Sequence, residues 1–342
     1  MKAAVFYEHG GPDKLLYDDF ETPKAGPDDA VVQVKACGMN HVDLLLLDGR
    51  YPPPGGLPHI NGCEVTGVVS EVGEDVSNVK VGDRVMVFPG FSCGKCEYCL
   101  KGKRTVCLKY AYLGAGRHGG YAEYVKIPAE NCLPLADSIS DVDGAAIPLA
   151  FLTAWHALVA QAELEPGEWI LIQAGGSGVG SSAIQIAKLM GARVITTVGS
   201  DEKAEFVRGI GADEVINYKT QDFVKETRRI TGKRGVDVLL EHIGEETFEK
   251  SIYCMNRCGR LVTLGSHANH WARMDLRHVY MKDLKIIGTN LGIILELQTI
   301  LEFMAAGKIK AAVDTTFPLS DARDAVRYLL DRKNKGKVVL IP

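Results

Sequence analysis

No apolar run in this chain approaches the length of a membrane span, and the N-terminal MKAAVFYEHGGPD lacks the apolar stretch of a secretory leader. Both absences point to a cytoplasmic protein. Excess positive charge is missing as well: 39 Lys and Arg stand against 43 Asp and Glu, a formal net charge of -4. Nucleic acid and anionic membrane both reward clustered positive charge, so neither is expected as a partner. Repeats, low-complexity tracts and flexible linkers are absent too. What remains is 342 residues, 46% of them apolar, enough for two domains that each bury a core. In a reducing compartment the nine cysteines read as free thiols or metal ligands.

Four of those cysteines crowd one short stretch. Cys93, Cys96, Cys99 and Cys107 form a C-x2-C-x2-C-x7-C run. That spacing closes a tetrahedral sulfur shell around one zinc and leaves no open coordination position, so the metal is structural. Gly94 and Gly102 permit tight turns there, and Lys95, Lys101, Lys103 and Arg104 offset thiolate charge. Cys132, Cys254 and Cys258 show no ligand spacing and read as small buried fillers.

Two textures divide the chain. Up to about residue 130, short alternating strands such as residues 31–38, 64–73, 83–88 and 121–128 are separated by Gly, Pro and Asp turns, the pattern of a small antiparallel barrel or sandwich. From about residue 150, apolar strands (169–173, 193–198, 236–244, 259–265, 284–289) alternate with helices of about ten residues. That is the mark of a doubly wound parallel sheet. The tail adds a helix with Ala322, Ala325, Val326, Leu329 and Leu330 on one face, capped near Ser320, and a last strand, GKVVLIP.

Between the first of the later strands and its helix lies Q-A-G-G-S-G-V-G, residues 173–180. Gly175, Gly178 and Gly180 let the backbone approach a pyrophosphate, and Ser177 and Val179 share the loop at the helix N-terminus, where the anion is favoured. The second strand ends in Val198, Gly199 and Ser200, where an acid would hold a ribose 2'-hydroxyl. With Lys203 nearby to neutralise a phosphate, NADP(H) is favoured over NAD(H). His242 and Ile243, and likewise Leu264 and Gly265, sit at carboxyl ends of strands where the cofactor should rest.

With G-M-N-H-V-D (38–43), N-G-C-E-V-T-G (61–67), G-G-Y-A-E-Y (119–124) and P-L-A-F-L-T-A-W (148–155), the whole chain resembles the medium-chain, zinc-type alcohol dehydrogenase superfamily, which includes quinone oxidoreductases and enoyl reductases. The resemblance implies an α/β protein: a GroES-like β-barrel catalytic domain at 1–150 and 290–342, and a Rossmann domain at 151–289. It also implies a homodimer or homotetramer acting on a small molecule, with Thr153 near the nicotinamide and His41 on a cofactor phosphate.

The departures from that family carry the functional reading. Where its alcohol-oxidising members place the three ligands of a catalytic zinc, this chain has Asn40, Cys63 and Leu149, and Val42 replaces the relay hydroxyl. Cys63 and Glu64 are what is left of a second metal site, and two ligands rarely hold a metal against water. Asn40 resembles the quinone oxidoreductase branch, and Tyr51 falls where enoyl reductases carry a proton-donating tyrosine. The expected chemistry is therefore hydride transfer to an α,β-unsaturated carbonyl or quinone, with Asn40 and Tyr51 supporting the developing enolate. Two other readings stand beside it. One is an alcohol or aldehyde dehydrogenase whose zinc is rebuilt from Cys63, Glu64 and a third group such as Asp43; the other is a dinucleotide-bound scaffold or redox sensor. His59, His118, His156, His267, His270 and His278 lack mutual ligand spacing and read as surface or packing residues.

Overall fold

The computed structural model describes residues 1–266 and 269–342. His267 lies outside the described residues. The chain divides into one unit of Met1–Leu149 with Ile293–Pro342 and a second of Ala150–Gly292.

In the first unit the strand Asp29–Gly38 is the hub. It pairs antiparallel with Glu64–Val72, with Tyr124–Pro128 and with the last strand, Lys337–Ile341, inside a seven-stranded sheet. Alternation sends Ala30, Val32 and Val34 into a core shared with Val65, Val69, Val125 and Ile127. Two registers set the surroundings of Asn40. Gly38 lies opposite both Glu64 and Val339, and Met39 N–H donates to Val338 O at 2.9 Å. Lys337 and Glu64 therefore flank the chain just where it leaves the strand towards Asn40. A Cβ on Gly38 would lie 2.1 Å from Ala145 O and 2.6 Å from Glu64 Oε2, so only glycine admits these neighbours. In the tail helix, Ala322–Leu330, Ala322, Ala325 and Val326 are buried but Leu330 is exposed, so the apolar face is narrower than expected. Ser320 sits in a preceding 3-10 turn and does not cap that helix; Asp321 holds the cap position without a side-chain bond.

The second unit is a parallel sheet of β1 (Trp169–Ile172), β2 (Arg193–Val198), β3 (Glu214–Asn217), β4 (Val236–Glu241), β5 (Met255–Thr263) and β6 (Lys285–Gly288). Its spatial order is β3-β2-β1-β4-β5-β6. Every residue of β4 is buried, as befits a central strand covered on both faces. Truncating Leu239 there to alanine would cost about 2–5 kcal/mol. The helix Gly178–Leu189 begins at Ser177, whose Oγ accepts from Gly180 N–H at 3.0 Å. Cys132 and Cys254 are buried, but Cys258 is exposed at φ +57°, where the pairing of β5 with β4 shifts register, and is not a core filler. Its left-handed backbone turns the thiol outward, a local geometry that cysteine spacing does not reveal.

Candidate functional site

Asn40, Cys63 and Glu64 come together, and a residue that the sequence pattern did not single out holds them. Lys337, 3% exposed, points its ammonium at Glu64 Oε2, at Asn40 Oδ1 (2.7 Å) and at Met39 O (2.6 Å). The one sequence signal for it is a lysine opening an otherwise apolar strand, Lys337–Ile341. Glu64 is fully buried; its Oε2 also accepts from Asn40 Nδ2 at 2.9 Å, and its Oε1 from the Leu149 backbone N–H at 2.7 Å. Asn40 Nδ2 lies 3.5 Å from both Cys63 Sγ and Gly38 O. Burial pushes the Cys63 and Cys37 thiols well up, keeping both protonated.

Below this cluster Asp43 anchors the short helix His41–Leu47. Its Oδ2 accepts from Asn40 N–H and from the Tyr121 hydroxyl, each at 2.7 Å, so Asp43 supports the loop and is not drawn to Cys63. Burial raises its carboxyl to about 6, against the pull of these donors. His41 is partly buried, and desolvation, with Arg50 and Arg332 adding repulsion, lowers its imidazole to about 4. Tyr51 is 45% exposed, and among the described residues no hydrogen bond links it to Asn40. Its phenol neighbours that of Tyr112, whose ionisation burial and Tyr51 both push upward.

The four cysteines of the lobe fit a zinc. Their sulfurs lie within 4.8 Å of one another and, among the described residues, are the one group of three or more such side chains able to share an ion. Neighbouring pairs stand at 3.5, 3.5 and 3.8 Å. A tetrahedron of Zn–S bonds of ~2.3 Å has edges of about 3.8 Å. Backbone N–H groups of Cys93 and Lys109 both reach Cys107 Sγ at 3.3 Å, and those of Cys99 and Leu108 pull Cys96 down to about 6. Gly94 and Gly102 take φ of +69° and +74° at the turns. The lobe hangs from a two-stranded ribbon, Gly90–Phe91 against Ala111–Tyr112.

At the carboxyl ends of β1 and β2 the loop residues form a close-fitted cradle. A Cβ on Gly175 would lie 2.1 Å from Thr196 Oγ1, and one on Gly180 2.3 Å from Ala174 O. Only glycine admits this approach, and Gly178 and Val179, half-buried, begin the helix whose N-terminus favours an anion. Ser200 caps the next helix, accepting from Lys203 N–H at 3.2 Å. Gly199 packs beneath Tyr218, whose hydroxyl would lie 2.6 Å from a Cβ there. Asp201 is turned to Asn217 at 3.0 Å. Glu241, which the sequence did not single out, is fully buried at the end of β4 and accepts from Ile243 N–H (2.8 Å), Thr247 and Ser251. His242 is buried beside it, and Leu264 N–H reaches Glu241 O at 3.3 Å, just before Gly265. Thr153 lies buried in the helix Ala150–Trp155. The cradle thus fits a dinucleotide.

Comparison with known proteins agrees with this geometry. The family described as alcohol dehydrogenase GroES-like domain matches residues 26–137, and that described as zinc-binding dehydrogenase matches residues 178–306. An alcohol dehydrogenase of Geobacillus stearothermophilus is 35% identical over 341 residues, 99% of either chain. Quinone oxidoreductase 1 of Escherichia coli is 32% identical over 348 residues, 98% of either chain. Among solved structures, an NAD-dependent alcohol dehydrogenase superposes with a TM-score of 0.96 at 41% identity, covering both chains fully. The E. coli quinone oxidoreductase complexed with NADPH gives 0.85 at 31%, again over both whole chains. No helix among the described residues is long and apolar enough to cross a membrane.

Proposed function

The chain belongs to the medium-chain, zinc-type alcohol dehydrogenase and quinone oxidoreductase superfamily, and we propose that it reduces activated double bonds or quinones with NADP(H). Membership makes it an NAD(P)-dependent oxidoreductase of α/β architecture, with GroES-like and Rossmann folds. The finer reading, reduction without a catalytic zinc, is carried by one observation. Both oxygens of Glu64 are committed, to Lys337 and Asn40 Nδ2 and to the Leu149 backbone, and the amide oxygen of Asn40 is committed to Lys337, so the position offers no three-ligand set.

A bound reduced nicotinamide supplies hydride for the β-carbon of an enone or for a quinone. Asn40 donates a hydrogen bond to the carbonyl oxygen as negative charge grows on it, and Tyr51 delivers the balancing proton. Conjugation already makes such substrates electrophilic. A saturated alcohol must first become an alkoxide; without a Lewis acid that step is slower by on the order of 10^2–10^4. Ser200, Lys203 and Tyr218 around Gly199 support a 2'-phosphate and hence NADP(H). The four-cysteine lobe would hold one structural zinc. A homodimer or homotetramer in the cytoplasm completes the proposal; exposed Leu276, Tyr280 and Met281, on the helix preceding the edge strand β6, support the association.

The alcohol dehydrogenase names carried by relatives at 35% and 41% identity favour a second reading, in which Cys63 and Glu64 take part in a rebuilt zinc site. One experiment separates the two: zinc counted per chain, beside NADPH- and NADH-linked assays on an enone, a quinone and a primary alcohol. One zinc with enone or quinone turnover is expected. Two zincs with alcohol oxidation would establish the second reading.

A further inference from the structure

Lys337 sits where neither stability nor solubility calls for a lysine: 3% exposed, on a strand whose next three residues are fully buried. An ammonium has three donors, and here all three are used, by Glu64, Asn40 Oδ1 and Met39 O. The bond to Asn40 has a particular consequence. A carboxamide turned end for end keeps its shape, so packing alone cannot decide which end faces inward. The ammonium decides it, because only the oxygen can accept from Lys337.

With Oδ1 fixed, the Asn40 NH2 must face Glu64 and Cys63. One of its hydrogens is firmly held by Glu64 Oε2 at 2.9 Å. The other meets only Cys63 Sγ and Gly38 O, both at 3.5 Å, the outer limit of a hydrogen bond. A protonated thiol is a weak acceptor. That N–H is thus the loosely held donor of the cluster, and positive charge on the oxygen side of the amide makes it a better one.

We propose that Lys337 is a positioning residue acting through Asn40: it fixes the amide so that its spare N–H faces the carbonyl oxygen of the substrate. This rests on the reading of the protein as an enone or quinone reductase. The hydride adds to the β-carbon, the electron pair of the double bond moves onto the carbonyl oxygen, and a proton then restores neutrality. Asn40 donates to that oxygen throughout, without transferring its proton.

Lys337→Met alone would take away the positive charge facing the buried Glu64 carboxylate and threatens folding. The test therefore uses the pair K337M/E64Q, which removes both charges, together with K337R, N40A and N40A/K337M/E64Q. For each, melting temperature, zinc content, kcat and the KM for NADPH are measured. K337M/E64Q is expected to lower kcat about 10- to 100-fold with the NADPH KM within about twofold, and K337R to restore most of the rate. In the N40A background the same double change should lower kcat by less than about twofold. A folded K337M/E64Q with unaltered kcat, or losses that simply add in the N40A background, would overturn the proposal while the reading of function stands. A wild type inert on every enone and quinone overturns both.

Discussion

The stem of Lys203 lies against the backbone of Gly176, its Cδ 3.1 Å from where a Cβ would be, so the side chain runs along the glycine loop. On the proposed NADP(H) reading, its ammonium is the group that pairs with a phosphate on the adenosine ribose. Lys203→Ala is expected to raise the KM for NADPH by about tenfold and to leave that for NADH within about twofold, since only the former loses a charge-assisted bond. Equal changes with both cofactors would remove the argument for NADP(H).

Tyr51 and Tyr112 present neighbouring phenols, one 45% exposed and one partly buried. If Tyr51 supplies the proton that accompanies hydride addition, Tyr51→Phe should lower kcat on an enone by about 100-fold. Binding of NADPH, monitored by fluorescence, should be unchanged. Quinones, whose reduced oxygens take protons readily from water, should suffer less. A phenylalanine variant with full enone activity would leave Tyr51 a mere plug at an exposed surface.

Much of this molecule is legible in one dimension because its signals are local. β1, β2 and β4 show as apolar runs since parallel strands are buried on both faces, and the glycines of 175–180 sit between strand and helix as the loop demands. The cysteine spacing is local too. Lys337 was illegible for the opposite reason: its partner Asn40 lies 297 residues away, and pattern alone assigns a strand-edge lysine to solvent. Glu241 was hidden likewise, because what makes a buried carboxylate tolerable is the ring of donors from Ile243, Thr247 and Ser251, and only the folded turn assembles it. Cys258 misled because a positive φ inside a strand leaves no compositional trace.

The sulfur lobe predicts its own dependence on metal. One zinc per chain is expected, and Cys99→Ser or exhaustive chelation should release it. Loss of the ion frees residues 93–107 and with them the clamp on the Gly90–Phe91 and Ala111–Tyr112 ribbon. The melting temperature should fall by roughly 10 °C, as for a loss of about 3 kcal/mol or more in a domain of this size. Enone turnover should fall as well, because the ribbon carries Tyr112, although the metal touches no reacting atom. A zinc-free protein that melts unchanged would contradict a structural role.

Acid provides a separate test through His41. Desolvation, with Arg50 and Arg332 adding to it, holds the folded imidazole at about 4, against an unfolded value near 6.5. The folded state therefore prefers the neutral ring. Its stabilisation is complete above about pH 6.5 and is lost as pH falls towards 4, because the unfolded chain takes up the proton first. Asp43 works in the opposite sense: its folded carboxyl, raised to about 6 by burial, gains its proton before the unfolded one and recovers stability over a similar range. The wild-type profile alone would mask both effects, so the variant isolates them. Between pH 7.5 and 4.5, urea unfolding of His41→Gln should lose about 2–3 kcal/mol less than the wild type. Parallel pH profiles for the two proteins would mean that the folded His41 ring is as easily protonated as the unfolded one.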